Sequence, residues 1–210
     1  MALNFRTRKI SFKTLFSHEK HIENWRYFNS RHNKISEIGR SHVPYRVKST
    51  HDSYRGRYPL HTKFLRGIGN IKSFADIGCA TLVGAPTTVD AKKALGKKAR
   101  VYAVDLVNFP PRKKPKGVIP VIHSIVEKPL PFKVDAIRFA NVTHYLSQSE
   151  RRMAIANIWK SLNENGYLLG STIYAAKIEL ENSQQRTYTD KEHEFILRKT
   201  ENGFEEIIIG

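Results

Sequence analysis

At 210 residues, with 40% hydrophobic and 10% aromatic side chains, the chain is long and apolar enough to bury one α/β core with an N-terminal extension, which excludes global disorder. Cys79 is the single cysteine, so an intramolecular disulfide and a thiolate zinc cluster are excluded, a reducing compartment is implied, and no apolar run reaches membrane-spanning length. Thirty-six Lys and Arg against 19 Asp and Glu leave a formal charge of +17, a field that draws in polyanions such as RNA, DNA or an acidic surface, although the same excess also serves solubility.

The first sixteen residues, MALNFRTRKISFKTLF, hold basic and apolar residues and no acid. That pattern is shared by mitochondrial presequences and by basic tails that are never imported, so a cytoplasmic location is expected, with a mitochondrial one as the alternative. Ile22, Trp25, Phe28, Ile35 and Ile38 recur at helical spacing before Gly39, which predicts an amphipathic helix. His18 and His21 also share a helical spacing but have no third ligand at a matching interval, so no metal site is expected. Residues 40–59 then lose periodicity and mix Arg, Tyr, His, Gly and Pro, as an irregular basic loop does. Residues 1–59 are read as this extension, and 60–210 as the folded domain, entered through a short helix from Leu60 to Gly67.

From there strands and helices alternate, the pattern of a mostly parallel sheet covered on both faces. SFADIG is the first strand. Thr87 and Asp90 have capping-box spacing for a following helix that Gly96 ends. RVYAVDL is the second strand, closing on Asp105, and GVIPVIHSI the third; Pro120 cannot donate to a ladder, which places that strand at a sheet edge. VDAIRFANV is the fourth. Ser147 and Glu150 repeat the capping-box spacing for a helix whose Ile155, Ile158, Trp159 and Leu162 form one apolar face before Gly166 stops it. YLLGSTIY is the fifth strand, and EFILRK and FEEIII, flanking Asn202-Gly203, predict a closing antiparallel hairpin.

The turn after the first strand, Gly78-Cys79-Ala80-Thr81-Leu82-Val83-Gly84, sits where open α/β sheets bind ligands, at the carboxyl ends of the strands. It lacks the G-x-G-x-x-G spacing of dinucleotide sites and the lysine of a P-loop, and Asp76 just before it would repel a pyrophosphate. An acid there suits a ligand with positive charge, and Asp105 at the end of the second strand suits ribose hydroxyls; S-adenosylmethionine carries both features.

On FADIGCA, VYAVDL, FANVTHYLS and LNENGYLLGSTI, residues 60–210 resemble the class I S-adenosylmethionine-dependent methyltransferases. The resemblance implies an α/β fold with a seven-stranded mostly parallel sheet, helices on both faces, an antiparallel last strand inserted near the C-terminus, and the third strand at an edge. It implies that Asp76, Gly78, Cys79 and Ala80 line the methionine side of the cofactor, Asp105 and Leu106 the ribose, Ser124 and Ile125 the adenine, and that Asn141 faces the methyl group. Ala80 stands where the family usually has a second glycine.

The methyl acceptor is less determined. VYAVDLVNFPP followed by Gly117-Val118 looks like the ribosomal RNA ribose methyltransferases, whereas DAIRFANVTHYLS is similar to chemotaxis-receptor and small-molecule methyltransferases. Asn141, His144 and Tyr145 are candidates for catalytic contacts, and Tyr54 and Arg57 for substrate binding, with the basic segment from Arg40 to Arg57 as a lid over the crevice. RKKPK at 112–116 is either a phosphate contact or a solvated loop. RNA or an RNA-associated protein, a small molecule, or a methyltransferase-like basic module without catalysis are the alternatives this pattern leaves open.

Overall fold

The computed structural model describes residues 5–10, 53–142, 146–178, 187–201 and 203–209. Strand β1 (Phe5–Ile10) precedes helix α1 (Pro59–Gly67) and the first parallel strand, β2 (Ser73–Ile77). A 3₁₀ turn (Thr81–Val83) and helix α2 (Pro86–Leu95) lead to β3 (Arg100–Asp105), β4 (Val118–Ile122) and β5 (Val134–Ala140). Helix α3 (Gln148–Ser161), β6 (Leu162–Ile178), β7 (Thr187–Thr200) and β8 (Gly203–Ile209) complete the chain. The predicted helix around Ile22 to Ile38, and His18 and His21, lie outside the described residues.

These strands form one sheet in the order β1-β8-β7-β6-β5-β2-β3-β4. β4, β3, β2, β5 and β6 run parallel, and all five positions of β2 are buried, as expected of a central strand with helices on both faces. Among the described residues β4 pairs with β3 only, so Pro120 lies on an edge strand. One face packs Ala75, Ile77, Val104, Ile137 and Phe139 against Ile155 and Ile158 of α3. The other packs Phe74, Val101, Ala136 and Leu169 against Phe64 and Leu65 of α1 and Ala91 of α2. The α/β arrangement with a closing antiparallel hairpin is the one the resemblance implies.

Several local expectations are corrected. Among the described residues the sheet has eight strands rather than seven, because β1 extends it by pairing antiparallel with β8, from Phe5 opposite Ile209 to Ile10 opposite Phe204. Part of the basic, acid-free N-terminus is therefore a sheet strand. The last strand is not inserted: β7 lies antiparallel beside β6, and β8 pairs outside it, so β6, β7 and β8 follow one another as a meander.

Helix α2 has no capping box. Pro86 starts it, Ala85 is its left-handed cap residue, the Thr87 hydroxyl is used on Asp76, and the Asp90 carboxylate accepts from Arg55 Nε and, at 2.7 Å, from Gly56 N. Helix α3 does have its box, with Glu150 N donating to Ser147 Oγ and Ser147 N to the Glu150 carboxylate. It ends at Ser161 rather than near Gly166, because Leu162 is extended and fully buried, and Asn163 is held by Asp135 at 2.7 Å.

Candidate cofactor crevice

Gly78, exposed at the end of β2, has φ +70°, and a Cβ there would lie 2.5 Å from Val142 Cγ2. A side chain is thus excluded both by the left-handed backbone and by the residue covering it. Gly78 N donates to Val104 O at 2.8 Å, which ties the turn to the end of β3. Ala80 is left-handed as well (φ 61°, ψ 60°), and its carbonyl accepts from Val83 N at 3.2 Å and Ala85 N at 3.1 Å. The position where the family usually carries glycine therefore has the backbone conformation glycine favours, adopted here by alanine.

Asp105 closes the other side of the turn. Its Oδ2 accepts from Thr81 N at 3.3 Å and its Oδ1 from Leu106 N at 2.7 Å. Thr81 Oγ1 donates to Val107 O at 2.7 Å, so the turn and the segment after β3 are joined on both sides of the carboxylate. Burial pushes the Asp105 carboxyl above the ordinary range, against the lowering pull of the backbone N–H groups around it. The backbone N–H groups of Thr81, Leu106, Ala80 and Val107 surround the carboxylate, which is itself buried at the end of β3. Leu106 is exposed beside it.

Asp76 does something different from what its sequence position implies. It lies one residue row inside the sheet, directly across from Arg138 of β5. Arg138 Nε donates to its Oδ1 at 2.9 Å and Arg138 Nη2 to its Oδ2, which also accepts from Thr88 Oγ1 at 2.6 Å and Thr87 Oγ1 at 3.0 Å. The positive partner of this acid is Arg138, not a ligand. Both residues are buried, at 3% and 1% exposure. Burial alone would lower the Arg138 pKa, but the adjacent carboxylate outweighs it and raises it. Tyr58 and Phe74 stack on the guanidinium with centroids at 5.1 and 5.5 Å.

The remaining predicted residues divide. Cys79 is buried against Ala85, Ala103, Val118 and Phe109, and burial, reinforced by Asp76 and Asp105, pushes its thiol well up, so its side chain is core and not a ligand contact or a nucleophile. Ile125 likewise turns into the core, with its carbonyl accepting from Asn157 Nδ2 at 2.9 Å. Ser124 remains part-exposed after β4. Asn141 is left-handed (φ 55°) and part-exposed at the end of β5, next to the Val142 that covers Gly78. Arg57 stacks over Tyr54 and Tyr58, at 5.7 and 5.5 Å, beside the Arg138 cluster. His144, Tyr145 and residues 40–52 of the expected lid lie outside the described residues. Asp105, Gly78, Ala80, Leu106 and Asn141 thus come together at the strand ends, while Asp76, Cys79 and Ile125 support them from within.

Arg138, Thr87, Thr88 and Val142 are the participants that sequence reasoning missed. A charged residue inside the apolar run VDAIRFA was the available signal, since a buried arginine requires a partner. A separate open groove of about 550 Å³ runs between α1 and α2, lined by Pro59, Thr62, Lys63 and Arg66 on one side and Asp90 on the other, and includes no residue of the turn.

No family model and no curated protein matches the chain. Among solved structures, N-methyltransferase NodS from Bradyrhizobium japonicum WM9 in complex with S-adenosyl-l-homocysteine is 24% identical over 66% of this chain and 71% of that chain, with a TM-score of 0.43. TehB from Haemophilus influenzae is 13% identical over 67% and 62%, with a TM-score of 0.47. CalS10, an amino pentose methyltransferase from Micromonospora echinaspora, is 16% identical over 78% of each chain, with a TM-score of 0.43. This chain spans less than two thirds of TehB (62%) and of NodS in a second structure (64%). These are likenesses of backbone arrangement, at identities too low to carry a residue's role across.

Proposed function

We propose that the crevice binds S-adenosylmethionine and that the protein transfers its methyl group to an acceptor entering over Asn141. The observation that carries this reading is the joining of Asp105, the acid that closes β3, to the left-handed turn at Gly78 and Ala80 after β2: the two strand ends at which open α/β sheets bind a ligand and its ribose hydroxyls are held together here. In the transfer, a lone pair on the acceptor forms the new bond to the methyl carbon as the carbon–sulfur bond breaks, the sulfonium becomes a neutral thioether, and a proton leaves an acceptor that carries one. Alignment supplies much of the rate in such a step. In this reading Asn141 orients the donor and Tyr54 and Arg57 contact the acceptor, and the formal charge of +17 favours a polyanionic acceptor, RNA among them.

One observation favours a second reading, a basic binding module without catalysis: Asp76 is saturated by Arg138, Thr87 and Thr88, so it offers no free charge to the cofactor's ammonium or sulfonium. Calorimetric titration of the folded chain with S-adenosylmethionine tests both. Binding, followed by methyl transfer to fractionated RNA, protein or metabolites, supports the enzyme; absence of binding removes it, and binding without transfer to any fraction leaves the module.

A further inference from the structure

The segment between β3 and β4, residues 107–117, reads VNFPPRKKPKG, with four cations and no acid. Arg112, Lys113, Lys114 and Lys116 are all exposed. The loop is nevertheless fixed at its base. Val107 O accepts from Thr81 Oγ1 at 2.7 Å, Phe109 packs against the cluster of Cys79, Ala85, Ala103 and Val118, and Lys113 N donates to Pro110 O at 3.1 Å. Lys113 Nζ reaches back to Leu82 O at 3.2 Å, so one cation of the four is used to anchor the loop on the 3₁₀ turn. Pro110, Pro111 and Pro115 restrict the backbone further. Arg112, Lys114 and Lys116 have no ion-pair or hydrogen-bond partner among the described residues.

Three like charges held on a stiff loop repel one another until an anion with repeated charges lies along them. The same attachments that fix the loop also position Thr81 and Asp105, so these charges stand on the rim of the crevice. Val83, 39% exposed on the turn that Lys113 anchors, adds apolar surface beside the cations. Exposed guanidinium and ammonium groups on one fixed loop, with no acid between them, complement the regularly repeated charges of a phosphodiester strand.

We infer that the 107–117 loop is a preformed docking rim for the phosphodiester backbone of a single-stranded nucleic acid, with Arg112, Lys114 and Lys116 as its phosphate contacts. The inference deepens the proposed methyl transfer by naming the acceptor class, and rests on that reading only for the reaction taking place in the adjacent crevice. Docking itself needs no cofactor.

The test is fluorescence anisotropy on the full chain without S-adenosylmethionine, using short labelled oligo(U), oligo(dT) and polyglutamate at several salt concentrations. The Arg112→Gln, Lys114→Gln, Lys116→Gln triple variant, which spares the anchoring Lys113, is compared with a charge-matched Lys128→Gln, Lys133→Gln, Lys160→Gln variant; these three are also exposed. The rim triple is expected to weaken oligonucleotide binding about tenfold or more and to reduce the salt slope by about 2, as three lost contacts on a single strand require. The control should stay within about twofold of the parent. Equal binding of oligo(U) and oligo(dT) supports phosphate recognition, and a preference for either assigns the source. No oligonucleotide binding by the parent chain, equal losses in both triples, or tighter rim-dependent binding of polyglutamate would each overturn the inference. Calorimetry with S-adenosylmethionine on the same rim variant separates this outcome from failure of the cofactor reading, since the loop charges are not cofactor contacts.

Discussion

Arg138 and Asp76 face each other across adjacent parallel strands, and the guanidinium grips both oxygens of the carboxylate through Nε and Nη2. Thr87 and Thr88 add two hydroxyl donors from the start of α2, so one carboxylate links β2, β5 and the helix that follows the turn. With the pair at 1% and 3% exposure, removal of one partner leaves a bare buried charge. Arg138→Met should therefore cost about 3–5 kcal/mol of unfolding free energy. Adding Asp76→Asn should recover part of that loss, because the stranded charge is gone. Urea unfolding of the two single variants and the double closes the cycle; strictly additive losses would mean that the two residues are not coupled.

Two of the left-handed positions of the turn, Gly78 and Ala80, should respond unequally. Gly78→Ala meets an unfavourable φ of +70° and a 2.5 Å approach to Val142 Cγ2. The backbone component alone is worth about 1–2 kcal/mol. Val142→Ala in the same chain should return the contact component and leave the backbone one. Ala80→Gly relieves a similar strain but gives up a buried methyl and adds freedom to the unfolded chain, and these offsets bring it to within about 1 kcal/mol of the parent. Thermal unfolding distinguishes the cases, and a destabilisation of Ala80→Gly as large as that of Gly78→Ala would contradict this account.

What was legible in the sequence follows from the range of the interactions involved. The edge strand marked by Pro120 and the Ser147 to Glu150 box are local signals, and each is realised, whereas the alternation of strands and helices is realised only in part, because no helix separates β3, β4 and β5. Thr87 and Asp90 carry the same spacing as that box, yet a proline at the first helical position and more distant partners take both side chains elsewhere. Asp76 was identifiable as an acid before a glycine turn, but its partner lies 62 residues away, and no local pattern reveals that the charge is already satisfied. β1 was hidden for a related reason: FRTRKI reads as a basic tail, and only pairing with β8 makes it a strand.

His61 supplies the pH dependence. It is fully buried at the start of α1, where Nε2 donates to Gly170 O at 3.0 Å and also lies 3.3 Å from Phe195 O. Burial first, and then the Arg138 charge, lower its pKa to about 3, so the ring is neutral in the folded protein. An unfolded histidine takes up its proton near 6.5, so between 6.5 and about 3 the unfolded chain binds more protons than the folded one. Stability from this group is complete above 6.5 and is lost as the pH falls through that window, by up to about 1.4 kcal/mol per pH unit. His61→Gln should lose about 1–3 kcal/mol at neutral pH, where a buried hydrogen bond is impaired, and then decline less steeply on acidification. Urea unfolding across that range measures the slopes, and parallel curves for the two proteins would assign the acid sensitivity to other groups.

Asp105 is where cofactor binding and the fold of the turn meet. Its carboxylate accepts from Thr81 N and Leu106 N, and in the proposed complex it also accepts from ribose hydroxyls. Hydrogen bonds to a charged group contribute about 1.5–3 kcal/mol, so Asp105→Ala should weaken S-adenosylmethionine binding tenfold or more. Asp105→Asn separates the two roles. Its carbonyl oxygen can keep one backbone donor, but the charge is absent, so more of the fold should survive than of the affinity. Because burial raises the carboxyl pKa above 3.8, the parent protein should lose cofactor affinity on acidification at a higher pH than an ordinary aspartate would dictate, whereas the Asn variant has no such group to titrate. Calorimetry at a series of pH values reads both effects, with circular dichroism reporting the fold at each. Unchanged affinity in Asp105→Ala would remove this residue from the cofactor site, and identical pH profiles for the parent and the Asn variant would show that its ionisation plays no part in binding.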